Sequence, residues 1–524
     1  MQYQSIEFVP KIEPESLEVL SLIYTPGVGY SCMEIKENDG LSYKYTNREN
    51  SVAVLSFDYE KSLKRAIFLK STLNIDAYPF EVTYPSPLEG EGEFSTRETS
   101  VRKLGEGSKE LLKLIVENIE VNFCGIDLTL IPEEVENIEF DVEIPVLKKS
   151  GADIKEFFKP FSKNIFKFEP SKLTGDFKEQ ALQLRGMAGG VVETELSCEP
   201  HKKPVAIISD GSAVLGFGNI GAAAGIPVME GKAVIFKSLG RVNAISLCLK
   251  TQATEEIVKI TQALKNSFSG INLEDISAPR CFEIEKKLIE TLDIPVFHDD
   301  QHGTAIVVLA ALMNALSVTK KKINQIKITI SGAGAAAQAV SKLLMKAGAT
   351  DITHVDKDGI VCKNRSENDY YLEELAKITN IENLQGNLEV AIEKSDVFIG
   401  LSAAGVLKQE FIKKMNKNPI IFALANPTPE IMPNEAKSAG AYIIATGRSD
   451  FANQINNSLA FPGLFQGILT HNIKKITDEI KLECALAIAS LIKDEDLSTT
   501  NILPNALDPQ TVSTIVNRLS GFKL

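Results

Sequence analysis

Apolar runs alternate with amphipathic segments along the last part of the chain. Runs rich in β-branched and aromatic residues predict strands at 326–331, 352–356, 396–402, 419–426 and 440–447. The stretch 305–318 predicts a long apolar helix before the first strand, and 477–492 predicts a closing helix. Strands that are apolar throughout are typical of parallel sheets covered on both faces. The pattern therefore predicts an α/β fold with a doubly wound parallel sheet of the Rossmann type.

The chain before residue 302 repeats itself. The matching pairs are SVAVLS (51–56) with PVAIIS (204–209), LKRAIFLKS (63–71) with GKAVIFKS (231–238) after one inserted residue, FCGIDL (123–128) with FSGINL (268–273), and EIPV (143–146) with DIPV (293–296). The pairs follow one another in the same order, which predicts two copies of a smaller α/β domain. We divide the chain into a first copy (1–165), a second copy (166–302), a dinucleotide-binding domain (303–470) and a C-terminal helical segment (471–524).

The two copies differ where polar residues cluster. The second copy contains a glycine-rich stretch, predicted to be a loop, at 210–231, and the first copy lacks it. Glu274 and Asp275 follow the second FSGINL, whereas Thr129 and Leu130 follow the first FCGIDL. The stretch 84–110 is predicted to be an irregular connection, and 160–180 the link between the copies.

A glycine-rich turn lies between the predicted strand 326–331 and the helix that follows. Gly332, Ala333, Gly334, Ala335, Ala336 and Ala337 form a GxGxxA pattern, in which the glycines permit a tight turn and close approach of a pyrophosphate. Asp356 ends the next strand, where a carboxylate accepts hydrogen bonds from an adenosine ribose. Lys357 beside it would instead suit a 2′-phosphate, so NAD and NADP both remain open. The alternative is a tightly packed turn that binds no ligand.

Acidic residues form the second candidate site. Glu274, Asp275 and Asp300 supply carboxylate oxygens, which suit Mg²⁺ or Mn²⁺; the alternative is a set of solvated surface acids. His298 and His302 flank the acids and suit packing or hydrogen-bonding roles better than zinc ligation. Lys232 precedes a strand-like apolar run, where a lysine is usually an edge residue. If the Lys232 ammonium is desolvated near a metal, its pKa would fall and the side chain could act as a base.

Composition excludes several classes of protein. The chain has 524 residues, 44% of them hydrophobic, and a net charge of −13, which argues against nucleic acid or an anionic membrane as the main partner. Its seven cysteines are widely spaced and form no CxxC pair, so neither a disulfide framework nor a zinc knuckle is predicted. We find no signal peptide and no apolar stretch long enough to span a bilayer, and we expect a cytoplasmic protein.

Several motifs together resemble malic enzymes of the small, prokaryotic type. They are SDGSAVLGFGNIG, PVMEGKAVIFKS, GINLEDISAPRCFEIE, VFHDDQHGTAIV, FALANPTPEI and GRSDFANQINNSLAFPGLFQG. The resemblance runs from about residue 200 to the end of the chain, and YTPGVGYSCMEI (24–35) also resembles the tyrosine motif of the family.

This resemblance implies oxidative decarboxylation of L-malate to pyruvate and CO₂, with reduction of NAD or NADP and a divalent metal. It implies that Lys232 is the base, Tyr24 the acid that protonates C3, and Asp299 a group that orients Lys232 or the metal site. Glu274, Asp275 and Asp300 would hold the Mg²⁺ or Mn²⁺ ion. Asn426 would bind substrate and cofactor, and Asn457 substrate.

One feature departs from the family pattern. A usual member carries the tyrosine motif once, much closer to the lysine, whereas Tyr24 here belongs to the first copy and Lys232 to the second. We expect the first copy to be degenerate, with Thr129, Leu130 and Ser150 at the metal-ligand positions and Lys64 as a relic of the lysine. The chain would be a homo-oligomer or a pseudo-dimeric monomer. A malolactic activity and a catalytically inactive nucleotide-binding regulator are the alternative functions.

Overall fold

The computed structural model describes residues 5–24, 27–73, 76–83, 106–123, 125–128, 130, 139–142, 146–148, 176–188, 190–197 and 202–522. Up to residue 298 its helices and strands are β1 (Ser5–Pro10), α1 (Leu17–Ile23), α2 (Val28–Glu37), α3 (Ser42–Tyr45), β2 (Ser51–Ser56), α4 (Tyr59–Leu73), β3 (Asp76–Glu81), α5 (Glu106–Ile119), β4 (Gly125–Asp127), β5 (Val146–Leu147), α6 (Phe177–Ala188), β6 (Val192–Ser197), β7 (Val205–Ser209), α7 (Gly221–Gly240), β8 (Ala244–Cys248), α8 (Thr254–Leu264), β9 (Gly270–Leu273), α9 (Arg280–Thr291) and β10 (Val296–His298).

The remaining elements begin at residue 299. They are α10 (Asp299–Thr319), β11 (Lys327–Ser331), α11 (Ala335–Lys346), β12 (Asp351–Asp356), β13 (Gly359–Ile360), α12 (Tyr370–Ile378), α13 (Leu388–Ala391), β14 (Val397–Gly400), α14 (Gln409–Ile412), β15 (Ile420–Ala423), α15 (Pro433–Ser438), β16 (Ile443–Thr446), α16 (Phe461–Thr470), α17 (Asp478–Ala489) and α18 (Pro509–Leu519). Short 3₁₀ turns lie at Asp39–Leu41, Asn47–Asn50, Glu120–Asn122, Leu215–Phe217, Lys265–Ser267, Ile323–Gln325 and Asn457–Leu459.

The C-terminal sheet has six strands in the order β13-β12-β11-β14-β15-β16. All pairs are parallel except β12 with β13. Helices pack on the sheet, and strand residues such as Ile330 and Phe422 are fully buried. The predicted α/β fold with a doubly wound parallel sheet is confirmed for this part of the chain, since all five predicted strands are present.

Two further sheets precede it, each with four parallel strands. The first has the order β3-β2-β4-β5 and the second the order β8-β7-β9-β10. Taken along the chain, the first strand of each set is central, the second lies on one side, and the third and fourth lie on the other. The two sheets therefore have the same topology.

The strand registers of the two sheets also correspond. Val52 pairs with Ala77 and Gly125, and the matching Val205 pairs with Ala244 and Gly270. Ile126 pairs with Val146 in the same way that Ile271 pairs with Val296. Except for Ala77 and Ala244, the paired residues stand at positions that the repeated sequence motifs had aligned.

The helices that follow the two central strands, α4 and α7, can be aligned by equivalent side-chain contacts. This alignment needs no inserted residue, unlike the one made from sequence. Lys70 Nζ lies 2.7 Å from Asp76 Oδ1, and Lys237 Nζ lies 2.8 Å from Asn243 Oδ1. This alignment places Arg65, not Lys64, at the position of Lys232. Lys64 is exposed and pairs with Glu60, and its identity as the relic of the lysine stays a prediction.

The two sheets contact each other through reciprocal hydrogen bonds. Thr83 N donates to Ala263 O at 2.7 Å, and Lys250 N, at the matching position, donates to Asn118 O at 3.2 Å. Cys248 N likewise donates to Asn122 Oδ1 at 2.9 Å, which mirrors a bond from Glu81 N to Ser267 Oγ at 2.7 Å. Such an exchange of the same two positions is typical of a two-fold interface.

Strands β1 and β6 pair antiparallel outside these sheets, from Ser5 with Ser197 to Pro10 with Val192. Helix α2 packs on α7, and α1 packs on α6. The N-terminal residues are thereby attached to the second sheet although they lie far from it in sequence.

The sequence predicted no apolar stretch long enough to span a bilayer, whereas helix α10 is long and apolar enough to do so by length and composition. It is the one such helix among the described residues. It is buried, however, and packs against α11 and α17. Buried core helices of this kind pass the same test. The predicted boundary at 302/303 falls inside this helix, and the domain division itself stays a prediction.

Three local predictions are wrong. The strand-like run after Lys232 belongs to α7, a helix that is apolar almost all round and therefore lacks the period that marks an amphipathic helix. The second half of the glycine-rich stretch 210–231 is the start of the same helix. Residues 106–110 and 177–180, predicted to lie in irregular connections, begin α5 and α6. The rest of 84–110, Thr129, Ser150 and most of 160–180 lie outside the described residues.

Replacement of Asn122 with Ala should destabilise the contact between the two sheets. The Asn122 side chain donates to Cys248 O at 2.8 Å and accepts from Cys248 N, so the variant leaves two buried backbone groups unsatisfied. We expect a loss of about 1–3 kcal/mol in the free energy of unfolding. Urea unfolding followed by circular dichroism measures it, with exposed Asn517→Ala as the control. Equal stability of the two variants would contradict the role of this contact.

Candidate active site

Lys232 lies in the middle of α7 and is completely buried. Its Nζ is 2.5 Å from Glu274 Oε2 and also contacts Asp299 Oδ2. The ring of Phe461, at the start of α16, lies 4.5 Å from the ammonium. Because a buried charge must be paired, these contacts explain how an ammonium is accommodated in an apolar helix.

Neighbouring parallel strands bring the acidic residues together. Glu274 and Asp275 follow β9, and Asp299 and Asp300 begin α10 directly after β10. Since β9 and β10 pair in parallel, their carboxyl ends meet at the same edge of the sheet. Asp300 Oδ2 accepts a hydrogen bond from Asp275 N at 2.7 Å, which connects the two segments.

Burial dominates the pKa values of these acids. It raises the pKa of Glu274 to about 7, that of Asp299 to about 7 and that of Asp300 to about 6. Burial alone would lower the pKa of Lys232, but the carboxylates of Asp299 and Glu274 reverse this, and the pKa lies well above the usual lysine value. The expectation of a lowered lysine pKa applies to Lys232 beside a metal ion and stays a prediction.

The predicted metal ligands Glu274, Asp275 and Asp300 are all at this site. Across the described ranges no three His, Cys, Asp or Glu side chains already converge in a metal-holding arrangement, since Glu274 faces Lys232. The carboxylate oxygens of the site nevertheless suit a hard divalent cation. Several buried carboxyl groups share a single ammonium, so further positive charge can be accommodated there. Asp299 Oδ1 also has no hydrogen-bond partner in the described part of the chain. The ligand assignment remains a proposal.

Tyr24 and Asn457 reach the same pocket from distant parts of the chain. Tyr24 is buried, and burial raises its pKa well above the usual value; the Lys232 ammonium opposes this rise, and the carboxylates of Glu274 and Asp299 add to it. Asn457 Nδ2 donates to Asp299 Oδ2 at 2.5 Å. Ser21 Oγ lies 2.7 Å from Ser449 Oγ and ties the helix before Tyr24 to the loop after β16.

Asn426 lies just after β15, between the C-terminal sheet and the turn at Leu215–Phe217. A Cβ atom added at Gly216 would lie 2.1 Å from the carbonyl oxygen of Asn426. One added at Gly447 would lie 2.8 Å from its Nδ2. Asn426 is therefore placed at the junction of the two sheets, and its role in binding stays a prediction.

The GxGxxA turn has the conformation that the sequence predicts. Gly332 has φ = 118°, and a Cβ there would lie 2.4 Å from Leu401 O, so only glycine fits. Gly334 has no neighbour within 4 Å of an added Cβ, which leaves its backbone open to a phosphate at the N-terminus of α11. Ala337 is buried against the sheet. The turn exposes Ala333, Ala335 and Ala336 in part.

Asp356 is bound by a residue that the sequence reasoning missed. Arg365 donates to both carboxylate oxygens of Asp356, at 2.8 Å from Nη1 and 2.5 Å from Nη2. These hydrogen bonds outweigh burial and hold the pKa of Asp356 below its usual value. Lys357 is exposed and pairs with Asp358. No sequence motif identifies Arg365 as a partner of Asp356. The chain brings the two side chains together only after it has turned back through β13.

A second missed group lies beneath the acidic loop. Arg280 donates to Asp210 Oδ2 at 2.8 Å and to Ser212 Oγ at 2.9 Å. Ser277 N also donates to Ser212 Oγ at 2.9 Å. This network fixes the loop that follows Asp275. Arg280 stands in the quoted motif GINLEDISAPRCFEIE, but nothing in the motif distinguished it from a surface arginine.

Comparison with known proteins agrees with this geometry. The profile described as "Malic enzyme, NAD binding domain" matches residues 301–518, and "Malic enzyme, N-terminal domain" matches residues 190–289. The crystal structure of an NAD-dependent malic enzyme from Thermotoga maritima is 47% identical, with a TM-score of 0.59 over 61% of this chain and 84% of that one.

Three curated relatives are similar in sequence. An NAD-dependent malic enzyme of Geobacillus stearothermophilus is 51% identical over 60% of this chain and 66% of its own length. A bifunctional malic/malolactic enzyme of Bacillus subtilis is 48% identical over 60% and 77%. An NADP-dependent malic enzyme of Escherichia coli is 41% identical over 70% of this chain and 51% of its own length.

The fold and the site define an α/β protein with an NAD-binding domain and an acidic, lysine-containing pocket. The chain belongs to the malic enzyme family, as its sequence predicted. It spans about two thirds of the Geobacillus relative and about half of the Escherichia coli relative.

Replacement of Gly334 with Asp should weaken binding of the reduced cofactor without unfolding the protein. The new carboxylate meets no neighbour and faces the phosphate position, where like charges repel. We expect the dissociation constant of NADH or NADPH to rise at least about tenfold, equivalent to about 1.4 kcal/mol. Fluorescence titration measures it. Gly521→Asp adds the same charge at an open position near the C-terminus and should bind like wild type; unchanged binding by both variants would contradict the predicted site.

Proposed function

We propose that the protein catalyses the metal-dependent oxidative decarboxylation of L-malate to pyruvate and CO₂, with reduction of NAD or NADP. One observation carries the proposal. The buried ammonium of Lys232 lies between Glu274 and Asp299, in the same pocket as the Tyr24 phenol. A base, an acid and a set of carboxylates are what the reaction needs at one substrate.

The side chains divide the work as follows. Lys232 is the base: in the neutral form that a cation beside it would favour, it takes the proton of the C2 hydroxyl while the hydride leaves C2 for the nicotinamide. Asp299 contacts Nζ and orients it, and Asn457 holds Asp299. Tyr24, whose raised pKa keeps the phenol protonated, delivers a proton to C3 after CO₂ has departed. Asn426 binds substrate and cofactor at the junction of the sheets, and Asn457 also binds substrate.

Glu274, Asp275 and Asp300 would hold a Mg²⁺ or Mn²⁺ ion. When bound, the cation supplies positive charge that stabilises the oxygens of the substrate as negative charge develops on them. The cofactor is NAD or NADP, since named relatives include both types.

The test is an assay of malate with Mn²⁺ and either NAD⁺ or NADP⁺ in parallel, followed by absorbance of the reduced nicotinamide and by pyruvate release. A malolactic activity is the second candidate, because one relative is named a bifunctional malic/malolactic enzyme. It would release lactate without net reduced cofactor. Absence of malate turnover with both cofactors would favour a nucleotide-binding regulator instead.

Replacement of Tyr24 with Phe should remove the acid and leave the pocket filled. We expect the rate of pyruvate formation to fall about 10²–10⁴-fold, the usual contribution of a positioned acid. Pyruvate release at saturating malate measures the effect. Tyr442→Phe is the matched control, because Tyr442 is 43% exposed on the surface. Equal rates for Tyr24→Phe and wild type would show that another group is the acid.

We further propose that the chain contains two copies of the N-terminal domain of the family and that the first is degenerate. The identical strand order, the matching registers and the reciprocal hydrogen bonds support this. Arg65, at the position of Lys232, lies 2.9 Å from buried Asp127, and Leu130 replaces a metal-ligand position. The chain would then be a pseudo-dimeric monomer, with a homo-oligomer as the alternative, and would act in the cytoplasm on L-malate rather than on nucleic acid or a membrane.

Mixing two inactive variants tests whether Tyr24 serves Lys232 of its own chain. Tyr24→Phe and Lys232→Met would be unfolded together and refolded as a mixture. We expect the mixture to be as inactive as its components, because each chain carries one defect in its single site. Recovery of activity in the mixture would mean that Tyr24 acts on a neighbouring chain. Wild type refolded with each variant provides the control for refolding yield.

A further inference from the structure

Glu285 is a buried carboxylate that the proposed reaction does not use directly. It lies on α9, which connects the loop of Glu274 and Asp275 to β10 and the start of α10. Its side chain is only 10% exposed. A buried carboxylate so close to other acids is costly unless it is held by donors, so its contacts call for an explanation.

Three donors from the first turn of α10 and the residue before it converge on Glu285. His298 N donates to Oε1 at 3.1 Å, and Gln301 Nε2 donates to Oε2 at 3.1 Å. His302 Nε2 lies 2.9 Å from Oε1 and 3.1 Å from Oε2. The carboxylate therefore holds three positions of one turn at once.

Helical periodicity separates these positions from the acids. His298, Gln301 and His302 are spaced three and four residues apart, so they share one side of the helix start. Asp299 lies on the other side with Gly303, where an added Cβ would be 1.9 Å from Asp299 Oδ1. Asp300 Oδ2 accepts from Asp275 N at 2.7 Å and lies 3.8 Å from His298 Nδ1, so this acid is held against the loop that follows β9. Fixing one side of the turn thereby fixes the direction of the acids on the other.

The charges agree with this role. Burial would raise the pKa of Glu285, but His302 and His298 oppose it, and the pKa falls to about 2. The ionised carboxylate also lies at the N-terminus of α10, where free backbone N–H groups favour negative charge. Arg280, at the other end of α9, holds the loop that carries Asp275.

We propose that Glu285 is a positioning residue that aims Asp299 and Asp300 at Lys232 and the divalent cation by clamping the first turn of α10. This inference rests on the proposed function in one respect, because the effect of Glu285 is measured as cation binding at the proposed site. It assigns no contact with substrate to Glu285. Under this proposal, helix α9 holds the two acidic segments in a fixed position relative to each other.

The experiment compares Mn²⁺ binding by Glu285→Gln and wild type, followed by electron paramagnetic resonance of the free ion. Glutamine keeps the length and one acceptor oxygen but cannot accept from both His298 N and Gln301 Nε2, which bind different oxygens of Glu285. We expect the Mn²⁺ dissociation constant to rise about 10–100-fold, as for other residues that orient metal ligands. NADH affinity should be unchanged, because the nucleotide turn lies in another sheet. A general structural defect would instead alter both.

Two controls define the outcome. Glu283→Gln removes an exposed carboxylate of the same helix, which pairs with Lys287, and should bind Mn²⁺ like wild type. Asp275→Ala should abolish Mn²⁺ binding. Failure of wild type to bind Mn²⁺ would overturn the proposed function, whereas wild-type affinity in Glu285→Gln would overturn the role of Glu285 alone.

Should Glu285→Gln fail to fold, His302→Leu decides, because leucine has no hydrogen-bond donor. It removes one of the three donors from a side chain that is 18% exposed. We expect weaker Mn²⁺ binding in the same direction but by a smaller factor. An Mn²⁺ affinity equal to that of wild type would overturn the proposal.

Discussion

A lysine ammonium with no exposure to solvent needs carboxylates beside it, and this requirement organises the site. Lys232 lies in a helix that is otherwise apolar, so its charge is tolerated only because Glu274 and Asp299 contact it. Those acids are in turn tolerated only because they share the ammonium, and burial raises the pKa of each to about 7. The helices and loops that carry these side chains must therefore keep one relative arrangement.

The second parallel sheet supplies that geometry. The carboxyl ends of β9 and β10 meet at one edge, α7 crosses that edge, and Asn457 approaches from the C-terminal part of the chain. The Tyr24 segment is attached from outside by pairing of β1 with β6 and by packing of α2 on α7. A pocket with parts from three regions excludes water and strengthens each electrostatic contact.

The hydrogen bonds between the first two sheets use corresponding positions of each sheet in both directions. Asn122 contacts Cys248 where Ser267 contacts Glu81, so equivalent positions are used in both directions. The side chains at corresponding positions of the two sheets differ in their chemistry. Arg65 and Asp127 form an ion pair at the position where the second sheet has Lys232 and Asn272.

The sequence by itself determined the C-terminal fold, the repeated motifs and the residue types of the site. The five apolar runs of the C-terminal part all became strands, and the positive φ of Gly332 agrees with its place in the GxGxxA pattern. It misassigned the run after Lys232, because a helix buried on all sides carries no periodic signal. Only the tertiary structure decided that Tyr24 is buried within electrostatic range of Lys232, that Arg365 binds Asp356 and that Glu285 accepts hydrogen bonds from the start of α10. Those contacts join residues through the packing of separate elements, and spacing along the chain does not encode such packing.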